Sequence, residues 1–374
     1  MDEPRVSGTR PAAETEPLPA ARLSAYADVG ARLSLLSDRG LTDAVAAAPA
    51  RGSGIGGRRA EMEVEGRRVF VKRVPLTDLE LRPEHVRSTA NLFGLPLYYQ
   101  YGVGSAGFGA WRELAAHLMT TAWVLRNAYA GFPLLYHWRV LPDRPPGDFA
   151  DAFGGVEGAV AHWEGSSAVR RRLEAIGSSS FSLVLFLEHV PRTLADRLSD
   201  LRNGAWAEPG GSAPYRWAEN ELLRGTEFMS AHGLVHFDTH FANLLTDGHR
   251  VYFTDFGLAL SRDFDLSAEE SAFLTDHLVY DRSYAPGHLL RHHLPEAVRG
   301  GIDQGAFLRA WIAGRRPEGV PAEIGALIDR HAPHAVVLDE FHRRLLGVSK
   351  RTPFPGREVR RAWGGGGVSG AGPA

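Results

Sequence analysis

The segment "HGLVHFDTHFANLL" (232–245), followed eight residues later by "TDFGLAL" (254–260), decides how this chain is interpreted. Its apolar pairs, Leu234–Val235 and Leu244–Leu245, can be explained as core, whereas the polar residues between them are harder to explain in that way. Asp238 and Asn243 fall in a loop, and Asp255 directly follows a predicted strand. A turn with solvated side chains is one interpretation of these three residues. A site that brings two carboxylates and a carboxamide together is the other.

These three side chains are the parts that phosphoryl transfer requires. The reaction depends on positioning the acceptor hydroxyl and on neutralising charge on the transferred group. Asp238 suits the role of the base, and an amide with a second carboxylate, Asn243 and Asp255, can hold a metal ion. His236 is expected to pack behind the loop and brace it. His240 has three open roles: bracing, substrate contact or plain exposure to solvent.

A glycine-rich segment lies upstream, in "ARGSGIGGRRAEMEVEGRRVFVKRVPL" (50–76). Gly52, Gly54 and Gly57 fit the pattern G-x-G-x-x-G between two predicted strands. Because glycine has no side chain, the backbone N–H groups of such a segment can approach phosphates. The pattern alone would fit a flexible linker equally well. Glu65–Gly66 predicts a hairpin turn between the second and third strands.

Lysine is rare in this chain, which holds 42 lysines and arginines together but has lysine only at Lys72 and Lys350. A lysine in the strand "VFVKRV" can be a solvated side chain, or it can be there because a planar guanidinium does not replace a compact ammonium. With the glycine segment before it, we predict that Lys72 pairs with phosphates. Glu113, the one acidic residue of a predicted helix at 110–130, would hold this lysine in place.

Taken together, these motifs resemble the protein-kinase-like superfamily over about residues 50–265. "VFVK" resembles its lysine strand, "HFDTHFAN" its catalytic loop and "DFG" its metal-binding motif. "LVLFLEHV" (183–190) resembles the strand that leads into the hinge, with Leu187 at the gatekeeper position and Glu188 to Val190 where adenine would bond. The resemblance implies an α+β, bilobal fold with a small β-rich N-lobe and a larger helical C-lobe.

The resemblance also implies an ATP-dependent enzyme with Mg²⁺, in which each motif has a role. It assigns catalytic roles to Asp238, Lys72 and Glu113, nucleotide contacts to Gly52, Gly54, Gly57, Lys72, Glu188 and Val190, and metal ligation to Asn243 and Asp255.

The sequence departs from standard protein kinases at two places. Phe237 precedes Asp238 where many regulated kinases carry arginine, so a phosphorylated activation loop would lack its partner. No Ala-Pro-Glu follows Asp255, and "SYAPGHLL" (283–290) is a poor substitute. The pattern Asp-x-His-x-x-Asn (238–243) is more similar to aminoglycoside phosphotransferases and UbiB-like kinases.

Three functions therefore remain open. The first is a kinase acting on Ser or Thr hydroxyls of a protein, which the N-lobe motifs favour slightly. The second is a phosphotransferase acting on a small molecule, such as an antibiotic or metabolite, which the missing Ala-Pro-Glu favours. The third is a pseudokinase binding module. Acidic residues in a deep cleft beyond Asp238 would indicate a cationic small molecule, and an open groove would indicate a polypeptide.

Composition limits the partners, the chemistry and the cellular location that can be expected of this chain. The formal charge of −2 predicts no nucleic-acid partner, and the absence of cysteine excludes disulfides and thiolate chemistry. No run of 18 apolar residues occurs and the N-terminus lacks a signal-peptide pattern, so we expect a cytoplasmic protein with no membrane partner.

The predicted layout is a β-rich part followed by a helical part. Residues 1–20 are expected to be disordered, 21–190 to form an N-terminal extension and the N-lobe with inserts at 77–108 and 142–180, 191–347 to form the C-lobe, and 348–374 to be a flexible tail. Helices are predicted at about 21–36, 110–130, 193–202, 216–233, 267–279, 303–315, 321–331 and 335–346, and strands at 60–66, 67–74, 132–141 and 181–190.

Overall fold

The computed structural model describes residues 19–54, 57–203, 213–294 and 296–364, and these form a mixed α+β structure. The N-terminal half holds an antiparallel five-stranded sheet, and helices dominate after it. Of the segment expected to be disordered, 1–20, residues 1–18 lie outside the described residues, and Ala20 belongs to the first helix. No helix of the described ranges is long and apolar enough to cross a membrane.

The five-stranded sheet supplies Lys72 and its neighbours. The predicted hairpin between the second and third strands is confirmed. Glu65 and Gly66 have positive φ values of 50° and 68°, which a two-residue turn needs at both positions if its twist is to match that of the strands. Lys72 pairs with Arg59 on one neighbouring strand and with Leu185 on the other. The order is β1-β2-β3-β5-β4, with β1 at Ala50–Gly54, β2 at Gly57–Val64, β3 at Arg67–Leu76, β4 at Leu135–Pro142 and β5 at Phe181–Glu188.

Two helices precede the sheet. Helix α1 (Ala20–Ser34) was predicted and packs on β4, because Ala25, Val29 and Leu33 form one buried stripe at helical spacing. Helix α2 (Asp38–Ala47), which the sequence analysis did not identify, begins after Ser37, whose side chain accepts from Gly40 N.

The two predicted inserts pack against each other. Trp163 is fully buried, with its ring 4.6 Å from that of Tyr99. They form a second hydrophobic core beside the sheet. The first insert holds α3 (Asp78–Leu81) and 3₁₀ turns at Pro83–His85 and Leu97–Tyr101 before α4 (Ala110–Leu125), and the second holds a 3₁₀ turn at Asp151–Phe153, α5 (Val156–His162) and α6 (Ser167–Gly177).

Short strands hold the loops that carry the opening motifs. Strands β6 (Arg192–Thr193), β8 (Leu244–Thr246) and β9 (Val251–Phe253) form one small sheet, and β7 (Leu234–Val235) pairs with β10 (Leu260–Ser261). A 3₁₀ turn at Phe256–Leu258 lies between β9 and β10. The polar motif residues therefore lie at the ends of buried strands.

The C-terminal helices differ from prediction in three ways. The helices predicted at 321–331 and 335–346 form one continuous helix, α13 (Ala322–Gly347), with Pro333 inside it. Packing against α8 (Ala213–Ala231), α10 (Tyr280–His292) and α12 (Gln304–Ile312) outweighs the roughly 3 kcal/mol cost of this internal proline. The segment "SYAPGHLL" belongs to a helix, α10, with Pro286 inside. Within the segment expected to be a flexible tail, 356–364 form α14, whose Trp363 stacks on His334 at 4.4 Å; 365–374 lie outside the described residues. The helices are α7 (Leu194–Asn203), α8 (Ala213–Ala231), α9 (Ala268–His277), α10 (Tyr280–His292), α11 (Glu296–Arg299), α12 (Gln304–Ile312), α13 and α14 (Gly356–Gly364).

Candidate functional site

Three of the predicted residues meet in one buried ion cluster. Lys72 on β3 donates from Nζ to Glu113 on α4 and to Asp255 Oδ1, the latter at 2.7 Å. Lys72 and Glu113 are almost completely buried, and Asp255 is 23% exposed at the cleft. The insert 77–108 does not displace Glu113 from Lys72. Helix α3, which begins with a capping box, carries Glu80, and the Glu80 carboxylate accepts from Ala110 N and so fixes the start of α4 near the end of β3.

The electrostatics of the cluster leave one carboxylate firmly ionised. Burial alone would raise the pKa of Asp255, but the Lys72 ammonium outweighs it and holds that pKa well below its usual range. Burial raises the pKa of Glu113 despite the same lysine. Burial alone would lower the pKa of Lys72. The negative charges of Asp255 and Glu113 outweigh this effect, so the pKa of Lys72 is raised above its usual value. A charged lysine and an ionised Asp255 therefore face the cleft.

The backbone at Asp255 is unusual. Its φ of 65° and ψ of 68° lie in the left-handed region, which a residue other than glycine adopts at a cost. The next side chain, Phe256, is fully buried and packs on the rings of His117 and His236. The buried phenylalanine holds the turn, and the turn directs Asp255 toward Lys72.

The loop after β7 carries Asp238 on a braced backbone, and His236 has the predicted bracing role. His236 Nδ1 accepts from Asp238 N at 3.3 Å, and its Nε2 donates to Thr254 O at 2.9 Å. Burial lowers the pKa of His236 to about 4, so the ring is neutral and can both accept and donate. One histidine thus links the backbone of Asp238 to that of Thr254, the residue before Asp255.

Asp281, on α10, also holds this loop and was missed by the sequence analysis. Its buried carboxylate accepts from His236 N at 2.5 Å and from Phe237 N at 3.0 Å. Burial raises the pKa of Asp281 to about 7, although both backbone donors act to lower it. In sequence Asp281 is one acid in an ordinary helix, so no local pattern distinguishes it.

Phe237 occupies the position before Asp238, for which the resemblance to regulated protein kinases would lead one to expect arginine. Its φ is 65°, and its ring is 1% exposed, against Tyr101, Phe273 and Tyr280. The position belongs to the hydrophobic core and offers no charge to a phosphorylated loop.

Asp238 faces a mixed polar environment. Asn243 Nδ2 donates to Asp238 Oδ2 at 2.8 Å, and His240 Nε2 lies 3.5 Å from Oδ1. Burial raises the pKa of Asp238 to about 6; His240 acts to lower this pKa, and the nearby Asp255 acts to raise it. The Asn243 amide oxygen has no hydrogen-bond partner among the described residues, which leaves it for a metal ion.

Arg59 joins the site from the neighbouring strand. Its Nη2 lies 3.6 Å from Asp255 Oδ2, and it is the cross-strand neighbour of Lys72. The sequence analysis did not select Arg59, although its position two residues after Gly57, opposite the lysine strand, was available as a signal. Two cations therefore flank Asp255.

The predicted phosphate-binding glycines lie elsewhere. Gly52 and Gly57 line neither of the two cavities described below. A Cβ on Gly57 would lie 2.2 Å from Arg73 O, so close strand packing explains this glycine. Gly54 ends β1, and the next two residues lie outside the described ranges. Gly52 and Gly57 therefore have no place in the described walls beside the ion cluster.

A different glycine-rich segment, 102–109, covers the site. A Cβ on Gly102 would lie 3.4 Å from Asp238 Oδ1, and one on Gly107 would lie 2.5 Å from Gly257 O. Both glycines have positive φ. Gln100, two residues before the segment, donates to Leu258 O. The segment overlaps the predicted insert 77–108, and the approach of Gly107 to Gly257 O leaves no room for a Cβ.

Two cavities meet at the ion cluster. The smaller, about 270 Å³, extends toward the end of β5 and is lined there by Leu187, Glu188 and Val190. The larger, about 530 Å³, lies on the other side and includes Asp238, which does not line the smaller one. The walls shared by both cavities are formed by Arg59, Lys72, Asn243 and Asp255.

The side chain of Glu188 is occupied by another part of the chain. Arg22 on α1 binds it through two hydrogen bonds, Nε to Oε1 at 2.8 Å and Nη2 to Oε2 at 2.6 Å. Leu134 N also donates to Oε2, and Glu188 N donates to Leu134 O at 2.8 Å. The carboxylate and the backbone N–H of Glu188 therefore already have partners within the chain.

Comparison of the chain with protein-family models and with curated proteins finds no match. Among the described residues no group of three or more His, Asp or Glu side chains is arranged to hold a metal ion. A cation at Asp255 and Asn243 would therefore need further oxygen ligands from a bound substrate.

Proposed function

We propose that this protein is an ATP-dependent phosphotransferase with a protein-kinase-like, bilobal arrangement. The observation that carries the proposal is the meeting of two cavities at Lys72, Asn243 and Asp255, with Asp238 on only one of them. Phosphoryl transfer needs a donor and an acceptor on opposite sides of a cationic junction. In this assignment the smaller cavity takes the nucleoside and the larger takes the acceptor.

The residues fit a Mg²⁺–nucleotide complex. Asp255 remains ionised beside Lys72, and the amide oxygen of Asn243 is unused by the described residues. Magnesium in such sites is bound by one or two side chains plus phosphates. When bound, Mg²⁺ would neutralise charge on the transferred group. Lys72 and Arg59 would pair with phosphate oxygens, and Glu113 would keep the ammonium in position.

Asp238 would act on the acceptor. As the bond from the γ-phosphorus to the leaving oxygen of ADP breaks, the acceptor oxygen bonds to phosphorus and its proton passes to Asp238. A pKa near 6 leaves Asp238 mostly deprotonated at neutral pH. Asn243 and His240 orient the carboxylate, and His236 with Asp281 fix the loop that carries it.

The larger cavity favours a small-molecule acceptor over Ser or Thr of a protein. It is lined by segment 101–109, by Ile176 on α6, by Tyr284 on α10 and by Leu346 on α13. Elements on several sides leave less room for an extended polypeptide than an open groove would. The small-molecule alternative, which the sequence analysis placed second, is therefore our first choice of acceptor. The paired Lys72, Glu113 and Asp255 argue against a pseudokinase.

The test is phosphoryl transfer from labelled ATP with Mg²⁺. The protein is incubated with a cell lysate divided by size into small-molecule and protein fractions, beside the matched variant Asp238→Asn. We expect label in the small-molecule fraction with the wild type and a strong decrease with the variant. Absence of both ATP binding and label transfer would refute the proposal.

A further inference from the structure

The part of the larger cavity away from the nucleotide is formed by α10 and α13. Tyr280, Tyr284 and Arg291 line it from one face of α10, and His342 lines it from α13. Arg291 lies ten residues after Asp281, which holds the loop of Asp238, and ten residues of helix span about 15 Å. The cavity therefore extends away from Asp238 along α10.

Charge is unevenly distributed along this cavity. Its lining carboxylates are Glu113, Asp238 and Asp255, and two of these pair with Lys72 at the nucleotide junction. Along α10 and α13 the described lining contains no carboxylate. An acceptor with several amino groups would find no anionic partners there, which argues against a polycationic acceptor of the aminoglycoside type.

Arg291 is the cation at the far end. Its Nη1 lies 2.8 Å from Asp339 Oδ1 on α13, and the guanidinium lies 5.8 Å from the Tyr284 ring. Its Nε and Nη2 are buried and have no hydrogen-bond partner among the described residues. A guanidinium has five N–H donors, and leaving buried donors unpaired is unfavourable. Asp339 Oδ1 also has no hydrogen-bond partner among the described residues, so this contact is an ion pair that leaves the hydrogen-bonding capacity of Arg291 unused.

His342 does not add a second charge here. Its Nε2 lies 3.0 Å from the Tyr280 hydroxyl, and burial lowers the pKa of His342 to about 4, with Arg291 acting in the same direction. Tyr280, Tyr284 and His342 therefore supply neutral polar and aromatic surface. A cation beside neutral hydrogen-bonding rings suits a hydroxylated compound that ends in an anionic group.

We infer that the acceptor is a small hydroxyl compound bearing an anionic group, a carboxylate or phosphate, which pairs with Arg291 while the hydroxyl lies at Asp238. This inference rests on the proposed phosphotransferase activity. A cavity of about 530 Å³ is in the range that small ligands occupy. Arginine is the side chain best suited to carboxylate and phosphate, because its fork matches their oxygens.

The experiment measures transfer from labelled ATP to three acceptor panels: sugar phosphates and glycerol 3-phosphate, hydroxy acids such as glycerate and gluconate, and neutral polyols with aminoglycosides. We expect label on one of the two anionic panels, which also distinguishes phosphate from carboxylate. Arg291→Gln should raise KM for that acceptor by about 10- to 100-fold, the scale of a charge-assisted hydrogen bond, with kcat changed much less. Nucleotide affinity should not change.

Three further variants separate recognition from a structural effect. Arg291→Lys should restore part of the affinity, and Arg282→Gln, a partly exposed arginine on the same helix, should leave KM unchanged. Asp339→Asn removes the internal partner of Arg291 and should leave KM equal or lower. A KM raised equally by Asp339→Asn and Arg291→Gln would show that the ion pair is only structural and would overturn the inference.

The outcomes also separate this inference from the proposed function. Label on polyols, aminoglycosides or proteins, unaffected by Arg291→Gln, would overturn the inference and leave the phosphotransferase proposal standing. Intact Mg²⁺-dependent ATP binding with no label on either anionic panel would likewise overturn the inference alone. Failure to bind ATP at all would refute both.

Discussion

Lys72 Nζ lies 2.7 Å from Asp255 Oδ1 and also donates to Glu113, so one ammonium joins the sheet, helix α4 and the turn after β9. Burial disfavours an isolated charge at each of these positions, and the two carboxylates together keep the lysine charged. Lys72 and Asp255 also form part of the wall that the two cavities share, and Glu113 lines the larger cavity. Their arrangement links the stability of the cleft to its proposed chemistry.

Lys72→Arg should impair turnover nearly as much as Lys72→Ala, by at least about 10²-fold, because the flat guanidinium does not fit between two carboxylates and a phosphate. Lys350→Arg is the matched control, since Lys350 is the other lysine of the chain and lies outside the cluster. Turnover by labelled ATP is the measurement. Near-full activity of the arginine variant would make Lys72 an ordinary strand lysine.

Asp255→Ala should abolish the Mg²⁺-dependent part of ATP affinity, because the ionised carboxylate at the junction would hold the cation that bridges phosphates. Calorimetric titration with ATP, with and without Mg²⁺, measures this. Asp263→Ala, at an exposed position, serves as control. If the affinity difference between the two titrations persists in Asp255→Ala, the metal assignment fails.

Asp238→Asn should lower turnover by roughly 10²–10⁴-fold, the range for general acid–base catalysis, with ATP affinity within a few-fold of wild type. Burial raises the pKa of Asp238 to about 6, and the base is active when deprotonated. Wild-type kcat/KM should therefore fall as pH decreases through about 6, and this inflection should be missing in the variant. An unchanged pH profile would show that Asp238 does not act as the base.

Asp281→Ala should lower the free energy of unfolding by roughly 2–4 kcal/mol, because the buried N–H groups of His236 and Phe237 lose their acceptor. Turnover should fall more than ATP affinity, since the loop of Asp238 is released. Chemical denaturation and nucleotide titration test both expectations. Asp276→Ala, whose side chain is 70% exposed, should change neither quantity; an equal effect of both variants would exclude a specific role for Asp281.

Arg22→Ala should lower the free energy of unfolding by about 1–3 kcal/mol, because the carboxylate of Glu188 would remain largely buried with fewer donors. Arg32→Ala on the same helix is the control, since its contact with Glu65 is exposed and long at 3.6 Å. Thermal unfolding compares the two variants. Equal melting temperatures would show that the contact between α1 and the end of β5 adds no stability.

The order and type of most elements were predictable because their signals are local. The alternation and turn residues of 57–76 specify a hairpin, and the apolar run at 181–190 specifies a buried strand. A proline read locally suggests a helix boundary, but Pro286 and Pro333 both lie inside helices. Packing of α10 against α13 keeps both helices continuous, and no local pattern carries that information.

The candidate site divides in the same way. Lys72, Glu113, Asp238, Asn243 and Asp255 were identifiable, because their side chains suit phosphoryl transfer and their motifs resemble those of the protein-kinase-like superfamily. Arg59, Asp281 and Arg291 were not, since each is an ordinary residue of a strand or helix until the fold brings it to the cleft. The glycines of 102–109 lie close to the site, but the sequence analysis selected the glycine pattern at 52–57 and not this one.

What the sequence by itself determined is the chemical inventory and the local elements that carry it: a buried lysine strand, a loop with aspartate and asparagine, and a carboxylate after a strand. These follow from side-chain type and short-range periodicity. Only the tertiary structure decided that Glu188 is bound by Arg22, that Asp281 holds the loop of Asp238, and that Arg291 ends the larger cavity. Each of these arrangements depends on residues at least 40 positions apart, or on which face of an element the core packing buries. Local sequence propensity specifies neither of these.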